Sequence, residues 1–102
     1  MDQRDALNIA AKYADEVKLK YAPIKMVLFG SYAKGSFNED SDIDIAVILK
    51  DYDNLIDTQV DLMRIRRRID SRIEPHPFRE QDFNTSNPLV SEIVKYGMDL
   101  LG

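Results

Sequence analysis

Phe29-Gly30-Ser31-Tyr32-Ala33-Lys34-Gly35-Ser36-Phe37-Asn38-Glu39-Asp40-Ser41-Asp42-Ile43-Asp44-Ile45 decides the reading of this chain. An apolar run over residues 24–29 stops at Gly30-Ser31; after an interval of ten residues a second apolar run opens with Asp42-Ile43-Asp44 and continues to Leu49. Gly30 closes a β-rich run and admits backbone conformations that other residues resist, so the chain turns sharply there and turns main-chain N–H groups outward. Ser31 adds a hydroxyl, Lys34 a mobile positive charge and Gly35 a second permissive backbone point. Such a set suits an anion such as phosphate at the start of a short helix. Asp42 and Asp44 differ in kind. Residues two apart on a strand project from one face with roughly 6.6 Å between them, and two carboxylates so placed repel unless a cation intervenes. Their hard oxygens suit Mg2+, and two such ions about 3.5–4 Å apart form the usual clamp for in-line displacement at phosphorus.

Either half alone is ordinary. A Gly-Ser pair after a strand is commonly just a turn, and an isolated Asp-x-Asp is commonly a solvated strand start. Together they carry more, because the connection is short enough for two antiparallel neighbours, which sets the exit of the first strand beside the entry of the second. Gly-Ser, ten residues and Asp-x-Asp resembles the signature of the DNA polymerase beta-like nucleotidyltransferase superfamily, and most nearly its minimal nucleotidyltransferase (MNT) branch. The resemblance runs from about Ile24 to the C-terminus. It implies transfer of a nucleoside monophosphate from a nucleoside triphosphate with divalent metal, in a branch that includes MNT antitoxins paired with HEPN-type toxins.

A chain of 102 residues is expected to form one domain, residues 1–102, that buries roughly two-thirds of its unfolded surface around a single core. With 44% hydrophobic and 31% charged residues it belongs with ordinary globular proteins, not disordered or membrane ones. The N-terminal Met1-Asp2-Gln3-Arg4-Asp5 has no apolar leader core, and the absence of cysteine excludes disulfides and thiolate metal sites. A cytoplasmic protein is expected. The net charge of −4 argues against adhesion of the whole surface to nucleic acid, although it leaves room for a local basic patch.

Asp2 is placed to cap a helix whose Ala6, Ala10, Tyr13, Ala14, Val17 and Tyr21 share one face, with Pro23 as its stop. Its tyrosines are assigned to packing, and Lys18, Lys20 and Lys25 to solvent. Residues 24–29 form the first strand and residues 43–49 the second. Ile43, Ile45, Val47 and Leu49 point away from the carboxylates, while Ala46 and Ile48 share their face. Apolar residues on both faces imply helices on both sides of the sheet, or a helix on one side and a partner on the other. Between the strands a short helix and a polar loop are expected, with Glu39 and Asp40 solvated.

A long helix follows, with Leu55, Thr58, Leu62, Ile65 and Ile69 on one stripe. Arg64, Arg67 and Arg68, flanked by Arg66 and Arg72, make its outer face basic. Such a face is either solvated, with its cations near the helix C-terminus, or a footprint for an acidic partner or RNA. In Arg72-Ile-Glu-Pro-His-Pro-Phe78 the two prolines forbid ladder donation and predict an edge strand. Reached through a crossover helix, that strand should run parallel to its predecessor and bring Glu74 beside Asp42 and Asp44. The resemblance implies a third carboxylate there, where many members carry Asp and this chain has the longer Glu. His76, two residues on, is assigned a structural role. Asn87-Pro88 opens a last helix with a stripe of Leu89, Ile93, Tyr96 and Leu100, which Gly97 interrupts or ends.

The expected architecture is thus α/β (α+β): a small mixed sheet of three to four strands with flanking helices, in the polymerase beta-like nucleotidyltransferase fold. Asp42, Asp44 and Glu74 are the candidate catalytic and metal-holding carboxylates; Gly30, Ser31, Lys34 and Gly35 are the candidate nucleotide-binding residues. The resemblance implies ATP as substrate, two Mg2+ ions, and as acceptor a hydroxyl of a protein partner such as a HEPN-type toxin. Membrane association is not expected. The rival readings are a non-catalytic antitoxin that masks its partner by surface contact, or nucleotide transfer to a small molecule or nucleic acid. The second of these would want an acceptor-gripping domain for which this chain has no residues to spare.

Overall fold

The computed structural model describes residues 1–102. Asp2 caps the first helix, α1 (Gln3–Lys20): its carboxylate accepts from the Asp5 N–H at 2.8 Å while the Asp5 carboxylate accepts from the Asp2 N–H at 3.2 Å. This reciprocal box satisfies N–H groups that the first turn leaves without helical partners. The helix stops at Lys20, Tyr21 turns extended, and Pro23 holds the chain out of the helical region. Ala6, Ala10, Tyr13, Ala14 and Val17 are buried, as their spacing requires.

Four strands make one sheet in the order β3-β2-β1-β4: β1 (Lys25–Phe29), β2 (Ile43–Leu49), β3 (Ile73–Arg79) and β4 (Met98–Asp99). The β1–β2 pair is antiparallel, β2–β3 is parallel through the crossover helix α3 (Leu55–Ile65), and β4 lies antiparallel to β1. One sheet face, carrying Ile43, Ile45, Val47, Leu49 and Ile73, packs on α1 and α3. The other, carrying Val27, Phe29, Ala46 and Ile48, packs on Ile93 of α4 (Pro88–Tyr96) and on Phe78 and Phe83. Helices therefore lie on both sides, as the two-sided apolar pattern of β2 implies.

Three details depart from expectation. The stripe of α4 is Val90 and Ile93; Leu89 and Tyr96 lie outside it, and Leu100 is not in the helix at all. Gly97 ends the helix with its N–H on the Ile93 carbonyl at 2.8 Å, and a side chain at that position would overlap both that carbonyl and Val27. So close an approach lets the chain leave α4 and run along β1 as β4, an element without a sequence signal of its own, where the Leu100 N–H reaches the Met26 carbonyl at 2.8 Å. In α3, Leu55 is exposed and Thr58 and Leu62 carry the burial; the helix tightens into a 3-10 turn at Arg66–Arg68. Lys18 and Lys20 are not simply solvated: Lys18 pairs with Asp15 at 3.2 Å, and Lys20 ties α1 to Asp61 of α3 at 2.8 Å.

Pro75 and Pro77 sit on the edge strand β3, as predicted. The edge is further blunted by α3 and the 3-10 turn that follows it. The Gln59 side chain donates to the Pro75 carbonyl at 2.8 Å, and Arg66 donates to the Ile73 carbonyl at 2.8 Å. With outward carbonyls occupied and proline nitrogens lacking hydrogen, little remains there for another strand to pair with.

Candidate functional site

The first half of the site is a turn held from several sides. Phe29, the last residue of β1, pairs with Asp44, and Gly30 follows with φ 75° and ψ −152°, a conformation that disfavours any side chain. A Cβ on Gly30 would also overlap Asp44 Oδ2, so the missing side chain is what lets the carboxylate lie against the turn. The short helix α2 (Ser31–Lys34) begins at once and ends at Gly35, left-handed at φ 79°. Tyr32 is buried beneath it and stacks on Phe37 with ring centroids 4.8 Å apart. The Gln3 amide of α1 donates to the Tyr32 carbonyl at 2.8 Å. Ser31 is thereby set at the start of α2, on the turn beside Asp44.

The second half comes from the sheet. The polar loop is ordered by Asn38, whose N–H donates to Ser41 Oγ at 2.9 Å and whose side-chain oxygen accepts from the Asp40 N–H at 2.8 Å. It delivers the chain into β2 with Glu39 and Asp40 exposed. Asp44 then stands opposite Phe29 on one side and in parallel register with Glu74 on the other. Adjacent strands are about 4.8 Å apart, so the two carboxylates are neighbours on one face. Asp42 lies just before β2, exposed, two residues ahead of Asp44. Toward the other end of these strands α4 and its apolar partners cover the face; at this end Asp44 and Glu74 keep 26% and 43% of their side-chain surface.

The structure places the remaining candidates as follows. Lys34 lies on α2 but reaches α4, where its Nζ is 3.0 Å from Glu92 Oε1 and 5.4 Å from the centre of the Tyr96 ring. Glu74 faces Arg66 NH1 at 3.9 Å, the outer limit of an ion pair. His76, assigned a structural role from the sequence, is hydrogen-bonded to this group: its Nε2 is 3.1 Å from Asp44 Oδ1. The signal was present in its even spacing from Glu74, which puts both on one face of β3. Arg64, Arg67 and Arg68 are exposed on the far side of the sheet, with no carboxylate within ion-pair distance.

No three acidic or histidine side chains are already closed into a metal-holding group. The chemistry of the donor set nevertheless fits a hard divalent cation. Asp42, Asp44 and Glu74 are all carboxylates, brought to one end of the sheet by register and left part-exposed there. Beside them lies a turn opening a helix, the kind of backbone that accepts an anion.

The sequence pattern of the nucleotidyltransferase domain matches residues 10–97. A Methanocaldococcus jannaschii protein carrying the provisional name protein adenylyltransferase is 27% identical over 79 residues, covering 74% of this chain and 77% of its own length. This chain spans only 46% and 44% of two further such proteins. Among solved structures, a toxin–antitoxin complex with AMP-PNP superposes with a TM-score of 0.69 at 27% identity, covering 89% of this chain and 71% of the other. A tri-AMPylated Shewanella oneidensis HEPN toxin in complex with MNT antitoxin gives a TM-score of 0.59 at 25% identity, covering 98% of this chain and 72% of the other.

Proposed function

The chain belongs to the nucleotidyltransferase domain family, and on that premise we propose that it transfers AMP from ATP to a hydroxyl of a partner protein, as the antitoxin of a HEPN/MNT pair. The observation that carries this reading is the register Phe29–Asp44–Glu74, which sets two strand carboxylates against the Gly30-Ser31 turn. The solved complexes support it, since one contains AMP-PNP and another an AMPylated toxin.

In this reading the Gly30-Ser31 turn and the start of α2 receive the triphosphate, Ser31 donating its hydroxyl and Gly35 closing the short helix behind it. Lys34 leaves Glu92, an exposed ion pair whose loss costs little, and neutralises the outgoing pyrophosphate. Asp42, Asp44 and Glu74 would hold two Mg2+ ions, which when bound supply the positive charge that offsets the triphosphate and the developing transition-state charge. Glu74, the most exposed of the strand pair, accepts the proton of the attacking hydroxyl. The chain's own contribution is otherwise positioning, and that is most of what catalysis of phosphoryl-type transfer asks of a protein.

The test is intact-protein mass spectrometry. Incubated with ATP, Mg2+ and this chain, the partner is expected to gain one or more AMP units, and Glu74→Gln is expected to abolish the gain while the complex still forms. A partner inhibited stoichiometrically with no change of mass, and indifferent to substitution of Asp42, Asp44 or Glu74, would establish masking in place of transfer.

A further inference from the structure

Resting on the reading above, we infer that His76 is a positioning residue that fixes the Asp44 carboxylate toward the Gly30-Ser31 turn. Asp44 is held at one oxygen and lies against the turn with the other. Its Oδ1 lies 3.1 Å from His76 Nε2, and its Oδ2 lies where a side chain on Gly30 would stand. The carboxylate therefore cannot rotate away without losing its hydrogen bond to His76, and the absent side chain of Gly30 is what leaves room for it in this orientation. The imidazole is itself held. It projects from β3 beside Ala46, and its ring meets the buried Phe29 ring edge-on, centroids 5.0 Å apart and planes at 64°. Phe29 is in turn the strand partner of Asp44. Ring packing on one side and backbone pairing on the other thus close a small circuit, Phe29, His76, Asp44 and back to Phe29. Only Asp44 within it faces the turn.

A donor that fixes a carboxylate's rotamer raises its affinity for a cation, because the ligand does not have to be ordered at the moment of binding. Asp42 and Glu74 have no such hydrogen-bond donor among the side-chain contacts of the site, so Asp44 is the pre-set member of the three. For the geometry to hold, Nε2 carries the hydrogen that donates to Asp44.

Two substitutions separate the donor from the ring. His76→Phe keeps an aromatic partner for Phe29 and removes the donor; His76→Gln removes the ring and returns an amide donor at about the reach of Nε2. Affinity for AMP-PNP is measured calorimetrically with Mn2+ present. His76→Phe is expected to bind roughly 10-fold to 100-fold more weakly, with rescue to near wild type by His76→Gln and little change of melting temperature in either. Because the chain has a single histidine, its imidazole is also read directly in the long-range 1H–15N spectrum of the unmodified protein at alkaline pH. The Nε2–H tautomer is expected, with its resonance displaced in Asp44→Asn and broadened by Mn2+. Unweakened binding by His76→Phe, failure of His76→Gln to rescue, or an Nδ1–H tautomer each overturns the inference while leaving the transfer reading in place. A wild-type protein that binds no AMP-PNP with Mn2+ and shows no broadening overturns the transfer reading and this inference with it.

Discussion

Asp44 and Asp61 are carboxylates of nearly equal exposure, 26% and 18% of the side chain, on opposite sides of the sheet, and their surroundings differ completely. Asp61 of α3 accepts from Lys20 Nζ at 2.8 Å through one oxygen and from the Tyr21 hydroxyl at 2.5 Å through the other. Both donors come from the end of α1, so the carboxylate rivets two helices together. The Lys20 and Tyr21 hydrogen bonds hold its pKa below the ordinary value of 3.8. Burial, with the bond to Asp61, pushes the Tyr21 phenol up to about 12. Asp44 accepts from His76 alone, beside a second carboxylate in register and a third two residues earlier. A carboxylate has about four acceptor sites. Where the chain itself supplies cationic and hydroxyl donors the charge is structural. Where the chain gathers like charges and supplies few donors, acceptor sites are left open to a cation.

The comparison breaks first at Asp44. Replacing Asp42 and Asp44 together by Asn is expected to weaken Mg2+-dependent AMP-PNP binding by on the order of 3 kcal/mol, since two anionic ligands to a hard cation are lost. The melting temperature should hold or rise, because like charges have been removed from the sheet end. Equal calorimetric affinity for wild type and variant, or affinity indifferent to Mg2+, would place Asp44 with Asp61 as a structural residue.

Asp61→Asn is expected to do the reverse. Urea denaturation should show a loss of about 1–2 kcal/mol from the α1–α3 contact, with nucleotide binding unaltered. Its pH dependence follows from the direction of each shift. The folded-state pKa of Asp61 is lowered, so its contribution is complete above the ordinary carboxylate value and drains away as pH falls through the depressed one. The Tyr21 pKa is raised, so its contribution is complete below about 10 and is lost as pH climbs through about 12. Stability profiles of wild type and Asp61→Asn should therefore converge at both acidic and strongly alkaline extremes. A constant gap across the whole range would assign the loss to packing.

The smallest effect is expected at the basic face. Arg64, Arg67 and Arg68 have no carboxylate in reach, unlike Lys20 beside them. Their joint replacement by Gln should leave stability unchanged and weaken the complex with the AMP-accepting protein by about 1 kcal/mol or less per arginine at low salt, vanishing at high salt. Unchanged affinity at two salt concentrations would make this face a solvated one. Weakened binding to RNA in its place would reassign the face to nucleic acid.

Much of this was legible locally. Asp2 as a cap, Pro23 as a stop, the Gly30-Ser31 turn and the alternation of Ile43, Ile45, Val47 and Leu49 all state their consequence within a few residues, because capping, φ restriction and strand pleat are short-range effects. Glu74 was legible by one further rule, that a strand reached through a crossover helix returns parallel, which places it beside Asp44. The sequence by itself therefore determined the sheet order of its first three strands, the turn, and the placing of Glu74 beside Asp44. What only the tertiary structure decided is who answers each charge. That Lys20 meets Asp61, that Lys34 meets Glu92, that His76 meets Asp44, and that Gly97 lets the chain fold back as β4 all depend on residues 32 to 72 positions apart and on which atoms approach once they pack. Side-chain partners are chosen by distances of a few ångströms between elements whose separation in sequence carries no such information, and so they appear only when the core has closed.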